Sequence, residues 1–140
     1  MQVTTAMLAD AATVADGKLY IHGGGWNSII SPQIPTTHPT LALVLIFKLE
    51  WHEANEDLPI AVELVTEDGK DAGLRGDMTL RVAPTPVTKK GAELFQSTAY
   101  MFHGLRFDQY GGYRFQVRHG DEVLASVPLT VLSPQAVMAA

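Results

Sequence analysis

Apolar side chains recur at every second residue over much of this chain. In residues 113–118, three apolar residues alternate with three polar ones, and the same period returns in 123–129 after the turn-like sequence 119–122. A period of two places alternate side chains on opposite faces of an extended strand, whereas a helix requires 3.6 residues per turn. The pattern predicts a hairpin here. Pro128 lacks an N–H group, which predicts that its strand lies at an edge or carries a bulge.

Similar alternation divides the whole chain into eight or nine short strands with no long helix. The other clear segments are 18–22, 41–49, 60–65, 77–82 and 96–102. This spacing is typical of an all-β, two-sheet antiparallel β-sandwich of the immunoglobulin-like or Greek-key type. Tyr113, which follows two glycines, is a candidate tyrosine corner, a phenol bonded to upstream backbone.

The length of 140 residues suits one such domain, which we place at residues 1–132. Residues 133–140 are expected to form a flexible C-terminal tail. The proline-containing stretches 31–39 and 82–91 are expected to cross between the two sheets, since neither would leave enough strands on one side for a separate core.

Composition excludes several classes of protein. The fifteen Asp and Glu residues outnumber the ten Lys and Arg residues, so the chain lacks the basic surface of a nucleic-acid or anionic-membrane binder. It has no cysteine, which rules out disulfides and thiolate metal sites or nucleophiles. No signal peptide or membrane-length apolar run is present. We therefore expect a soluble, cytoplasmic protein without a cofactor.

The strand at 41–49 differs from the others because both of its faces are apolar. Five large apolar residues form one face, and Ala42, Val44 and Ile46 form the other. A strand that is apolar on both sides is usually covered on both sides. The cover is either the alanine-rich segment 6–15 of the same chain or a second subunit. If these three residues are exposed in the monomer, they mark a protein interface.

The most distinctive motif is the sequence His22-Gly23-Gly24-Gly25-Trp26. Such a run can form an esterase oxyanion hole, but the G-x-S-x-G nucleophile motif is absent. It can also form a backbone anion nest, although no P-loop lysine follows. The structural interpretation is a bulge, a sharp turn or close backbone packing, after which Trp26 begins the next strand and plugs the core. Asp10, among small apolar residues, is expected to be partly buried. Together, Asp10 and residues 22–26 are the candidate ligand site.

Glu50 and His52 are weak candidates for a metal site, because imidazole nitrogen and carboxylate oxygen both bind zinc-like ions. The acidic sequence that follows favours a solvated loop instead, so no metal is predicted. No pair of carboxylates stands out as a general acid and base, and the chain is expected not to be an enzyme.

Two stretches resemble a family of small bacterial or bacteriophage proteins of unknown function. The first combines residues 8–12 with Gly17-Lys18-Leu19-Tyr20 and Gly23-Gly24-Gly25-Trp26, and the second combines residues 112–117 with 122–129. The resemblance implies a β-sandwich in a bacterial or phage setting, where a virion component is an alternative to the cytoplasm. It implies no activity.

Three functional hypotheses follow. The first is a non-enzymatic module that binds another protein or its own copy, in the default form of a symmetric homo-oligomer. The second is a small-ligand binder or enzyme with a site near Gly23–Gly25, which requires a concave pocket with convergent polar groups. The third is a metal-dependent protein centred on His52.

Overall fold

The computed structural model describes residues 1–139 as an all-β sandwich of nine strands. The strands are β1 (Gln2–Ala15), β2 (Lys18–Trp26), β3 (Ser28–Ile30), β4 (Thr36–Leu49), β5 (Leu58–Thr66), β6 (Asp71–Leu80), β7 (Leu94–Phe107), β8 (Gly111–His119) and β9 (Glu122–Leu132). A 3₁₀ turn (Trp51–Glu53) follows β4, and a short helix α1 (Pro134–Ala139) follows β9. The predicted fold class and strand number are confirmed.

The strands form a four-stranded sheet, ordered β2-β1-β4-β7, and a five-stranded sheet, ordered β3-β9-β8-β5-β6. All neighbours are antiparallel except β3 and β9, which run parallel. The chain crosses from the five-stranded to the four-stranded sheet between β3 and β4 and again between β6 and β7. These are the two crossings expected from the prolines at 31–39 and 82–91, although β4 already begins at Thr36.

The main core lies between the sheets and contains the large side chains predicted from the alternation. Phe47, Phe107 and Phe115 are fully buried there, together with the leucines of β4. Phe102 stacks on Phe115 with ring centroids 5.6 Å apart, and Phe107 meets Tyr113 edge-on at 5.1 Å. Burial of these rings supplies most of the driving force that holds the sheets together.

Pro128 lies at a position of β9 where its missing N–H group does not disrupt the pairing of strands. It is opposite Arg114 on β8, while β3 pairs on the other side only with residues 130–132 of β9. At Pro128, β9 is therefore an edge, as predicted. The short helix at 134–139 has no buried residue. The tail predicted at 133–140 thus contains one helical turn and a half, and its last residue lies outside the described part of the chain.

The second face of the four-stranded sheet carries a separate apolar cluster. This outer cluster consists of the buried residues Ala9, Ala12, Ala42 and Val44, with Met7, Leu19, Ala99 and Met101 packed against it. The sheet is strongly coiled, since β2 and β7 at its two edges approach within 8 Å at Cα atoms. The small alanines permit this close approach.

Ala42 and Val44 are consequently buried by their own chain, and Ile46 is half-buried. The interface was predicted only if these residues were exposed in the monomer. Ala42 and Val44 are buried, so they do not meet this condition. The alanine-rich segment 6–15, the first of the two expected covers, supplies Ala9 and Ala12 to the cluster. Within residues 1–139, no helix is long and apolar enough to cross a membrane.

Candidate functional site

The glycine run lies inside β2 and forms a bulge, one of the expected alternatives, rather than a sharp turn between strands. Trp26 ends β2 instead of beginning the next strand, and it is half-buried against the main core. A bulge is present: the register between β1 and β2 shifts by one residue between Leu8 and Ala9, so that Gly25 is left without a partner. Gly23 and Gly25 have φ values of 60° and 89°, which non-glycine residues adopt only with strain.

Asp10, Trp26 and His38 converge on a shallow open cavity of about 310 Å³ at one end of the sandwich. Ser28, Ile29 and Ile30 complete its lining. The Trp26 indole N–H donates a hydrogen bond of 2.8 Å to the Gly23 carbonyl oxygen. The indole centroid lies 6.0 Å from that of the His38 ring, at an interplanar angle of 56°. This bond fixes an aromatic wall beside a carboxylate.

Gly23 keeps space for the Asp10 side chain. A Cβ atom at Gly23 would lie 2.3 Å from Asp10 Oδ2, well inside contact distance. Asp10 itself is exposed, so the expectation of partial burial is wrong. Asp10 lies inside β1, directly after Ala9, the last β1 residue that pairs with β4.

The structure therefore brings together part of the predicted ligand site. Asp10 and Trp26 line the cavity, and Gly23 stands behind Asp10. His22 is exposed opposite Ala11, and neither it nor Gly24 or Gly25 lines this cavity. His38 was missed because it is brought near Trp26 only by the folding of β4 against β1. No local pattern in the sequence marks this residue.

Glu50 precedes the 3₁₀ turn Trp51–Glu53 and His52 lies within it; both residues are exposed. Among residues 1–139, no group of three or more His, Asp or Glu side chains is arranged to hold a metal ion. The neighbouring Glu53 has a structural role. It accepts hydrogen bonds from the Glu50 backbone N–H at 2.9 Å and from the Met1 amino group at 3.1 Å.

The pKa of Glu53 reflects these contacts. Burial by itself raises the pKa of the carboxyl group, but hydrogen bonding to the Glu50 backbone and to the Met1 amino group outweighs burial. The pKa of Glu53 therefore lies below its ordinary value, and the carboxylate stays charged at neutral pH.

The sheet edges form the second feature with binding potential. An edge strand presents unpaired N–H and C=O groups to other chains, and proteins usually shorten, charge or distort such strands. β3 has only three residues, and β2 contains the two left-handed glycines. β6 carries Asp71, Arg75 and Asp77. Each of these three edges thus has a protective device.

β7 lacks these protective devices along most of its length. It spans 14 residues, and residues 94–105 contain no Asp, Glu, Lys, Arg or Pro. It pairs with β4 from end to end, and within residues 1–139 its backbone makes no hydrogen bond to any other strand. Phe95 is 60% exposed at its start. Only the left-handed Gly104, near its end, interrupts its regularity.

A groove runs beside β7, between β7 and β6. One part of it is a cavity of about 340 Å³ lined by the apolar residues Ala72, Leu74 and Leu105 and by the charged residues Arg106 and Asp108. Further along, the Tyr100 hydroxyl of β7 contacts the Met78 sulfur of β6. Burial raises the pKa of the Tyr100 phenol, against a smaller lowering by hydrogen bonding with Thr98, so the phenol is neutral at physiological pH.

Comparison with known proteins identifies the family of this chain. Residues 4–132 match the model of a family of unknown function, DUF6941. The chain belongs to this family. The match covers most of the domain that the sequence resemblance indicated. No match was found among curated proteins.

Two solved structures are similar in part. An immunoglobulin-like protein from Pseudomonas aeruginosa is 14% identical, with a TM-score of 0.45 over 93% of this chain and 94% of that one. A β-glucuronidase of glycoside hydrolase family 2 is 10% identical, with a TM-score of 0.33 over 69% of this chain and 10% of that one. The DUF6941 chain thus spans about a tenth of the hydrolase.

Proposed function

We propose that this DUF6941 protein is a non-enzymatic interaction module that binds an extended segment of another polypeptide along the free edge of β7. The observation that carries the proposal is the contrast between β7 and the three protected edges. An unpaired strand of this length without charge or proline is a template for strand addition and favours aggregation unless it is occupied. A virion or other assembly built from this chain would use the same edge.

The groove beside β7 sets the chemistry of the bound segment. In strand addition, the main chain supplies affinity through hydrogen bonds, and alternate side chains enter adjoining pockets. Here the adjoining surface offers Ala72, Leu74 and Met78 from β6, all half-buried. We expect the partner to be a mainly uncharged segment with apolar residues at alternate positions, because a charged side chain beside Ala72, Leu74 and Met78 would lose its hydration.

Peptide binding tests this proposal. The probe is a synthetic peptide with the sequence of residues 94–105, and the control is a peptide with the charged sequence 113–119. We expect the first to bind and the second not to bind, as measured by fluorescence anisotropy of labelled peptide. Amide hydrogen exchange should place the bound peptide on β7.

A matched pair of variants locates the site. Ser97→Lys places a charge on the β7 edge and should weaken peptide binding at least about tenfold, since lysine is a natural blocker of edge strands. Thr79→Lys makes the same change on β6 and should leave binding unchanged. Binding that is insensitive to Ser97→Lys, or a footprint at Trp26 and His38, would refute the β7 site.

We propose as a second candidate that the cavity of Asp10, Trp26 and His38 binds a small organic cation. The favouring observation is a fixed aromatic wall beside a carboxylate, the arrangement in which cation–π and ionic attraction act together.

Methylguanidinium is a suitable probe, with Trp26 fluorescence recorded in a Trp51→Phe background. Asp10→Asn should abolish the response, whereas Asp16→Asn should not. An unchanged response in Asp10→Asn would exclude this site.

A further inference from the structure

We infer that the segment bound by β7 is the β7 strand of a second copy of the same chain, aligned antiparallel. Two four-stranded sheets then join into one continuous sheet across a twofold axis. This inference rests on the proposed function and identifies its partner. It replaces the interface expected at Ala42, Val44 and Ile46 with one at the neighbouring edge of the same sheet.

The side-chain pattern of β7 complements itself. Tyr100 and Phe102 pack toward the main core, whereas Ala99 and Met101 pack in the outer cluster. Directly opposite residues in an antiparallel pair project to the same face, so one residue must lie opposite its own copy, with the twofold axis midway between the two. Ala99 lies near the middle of the uncharged stretch and offers a small side chain at the axis.

With the axis at Ala99, each side chain meets a compatible one. Ser97 lies opposite Met101 of the second copy on the outer face, and Thr98 lies opposite Tyr100 on the inner face. The exposed Phe95 lies opposite His103, which is also exposed and can stack with it. All these residues are uncharged, so pairing costs little desolvation. The alternate apolar pattern is also the one that the β6–β7 groove accepts.

Charges at the two ends of β7 favour the antiparallel direction. Glu93 precedes the strand, and Arg106 lies near its end. In the proposed register Glu93 lies opposite Leu105 of the second copy. Leu105 packs toward the main core because the left-handed Gly104 changes the alternation. The neighbouring Arg106 therefore lies on the same outer face as Glu93, and the twofold axis brings Glu93 and Arg106 together twice. A parallel pairing in register would instead bring like charges together. Glu93 also pairs with Lys48, and Arg106 with Asp108, at 2.7 Å each. Such exposed pairs are weak and adjust easily.

Solution mass and disulfide trapping test the pairing. Light scattering over a concentration series should give the mass of a dimer. Because the chain contains no cysteine, Ala99→Cys introduces a single thiol, which in this register faces its own copy within disulfide range. Mild oxidation should convert Ala99→Cys to a covalent dimer. Thr79→Cys on the β6 edge is the control and should remain monomeric on a denaturing gel.

Charge exchange tests the direction and register. Glu93→Arg and Arg106→Glu should each raise the dimer dissociation constant at least about tenfold, because each creates two like-charge contacts. The double variant that carries both substitutions should restore the dimer dissociation constant to within about threefold of its original value. Circular dichroism and thermal unfolding of each variant show whether the fold is retained.

The outcomes separate this inference from the proposed function. A monomer at all concentrations refutes self-pairing, but the β7 edge remains a binding site if it still takes up the 94–105 peptide. A dimer in which Ala99→Cys does not cross-link and the charge exchange has no effect refutes the proposed interface. A protein that neither dimerises nor binds the peptide refutes both.

Discussion

The Tyr113 hydroxyl illustrates how a single polar group can secure a connection between the sheets. It donates a hydrogen bond of 2.9 Å to the Gln109 carbonyl oxygen and accepts one of 3.3 Å from the Gln109 N–H. This is the tyrosine corner expected from the sequence. It holds the turn between β7 in one sheet and β8 in the other.

Tyr113→Phe should lower the free energy of unfolding by about 1–2 kcal/mol, since it removes the hydroxyl and leaves the Gln109 groups without their partner. Urea denaturation measures the change. The control is Tyr20→Phe at an exposed tyrosine that makes no hydrogen bond within residues 1–139. Equal stability of the two variants would show that the Tyr113 bond contributes nothing net.

The glycines of β2 can be separated into those that need space and those that need only their backbone conformation. Gly23→Ala meets both a clash with Asp10 and a left-handed φ, whereas Gly25→Ala meets only the φ penalty. Gly76→Ala in β6 meets neither. We expect Gly25→Ala to cost about 1–2 kcal/mol of unfolding free energy, Gly23→Ala to cost more, and Gly76→Ala to be neutral or stabilising. A different order in thermal unfolding would contradict the geometry.

Glu53 makes stability depend on acid pH. Its pKa is lower in the folded chain than in the unfolded one, so its stabilising contribution is complete above the unfolded pKa of about 4.3. The contribution is lost as pH falls through the folded value. Urea titrations below pH 5 should therefore show a steeper loss of stability in the original chain than in Glu53→Gln. Parallel curves for the two proteins would exclude this role.

The strand β7 is hydrogen-bonded to β4 along one edge, and within residues 1–139 no strand pairs with its other edge. Successive amide groups along a strand point in opposite directions, so half of the β7 amides point toward β4 and half point away. The strand is therefore at once a structural part of the sheet and an exposed template.

Amide hydrogen exchange distinguishes these two sets. In a dilute monomer, the β7 amides that point away from β4 should exchange much faster than those that point toward it. If two copies pair through β7, the fast set should become protected as the protein concentration rises, while β6 amides remain unchanged. Protection of both sets that is independent of concentration would contradict an exposed β7 edge.

The coiled four-stranded sheet contributes residues to two apolar clusters, one on each of its faces. Ala42 is fully buried in the outer cluster. Ala42→Leu should therefore lower the unfolding free energy by about 1–3 kcal/mol through overpacking, independently of protein concentration. Thr40→Leu, at an exposed position on the same strand, should change it by less than about 0.5 kcal/mol. Concentration dependence of the Ala42→Leu effect would instead indicate an interface.

Sequence patterns alone were sufficient to predict the fold class, eight or nine strands, two of the five sheet crossings and the tyrosine corner. All of these depend on local patterns: alternation with a period of two, turn residues, prolines and a tyrosine after glycines. It also marked Asp10 and Trp26 as candidates, because a carboxylate among alanines and a tryptophan after glycines stand out without knowledge of contacts.

The contacts between distant segments could not be predicted from the sequence and became known from the fold. His38 joins Trp26 because β4 folds against β1, and the coiled sheet buries Ala42 and Val44 within the chain. Asp10 is exposed despite its apolar neighbours, at the point where β1 no longer pairs with β4. The free edge of β7 was invisible in the sequence, since strand order depends on pairings between distant segments. Local periodicity specifies which face of a strand is apolar, but only the packing of the strands specifies which edges stay open.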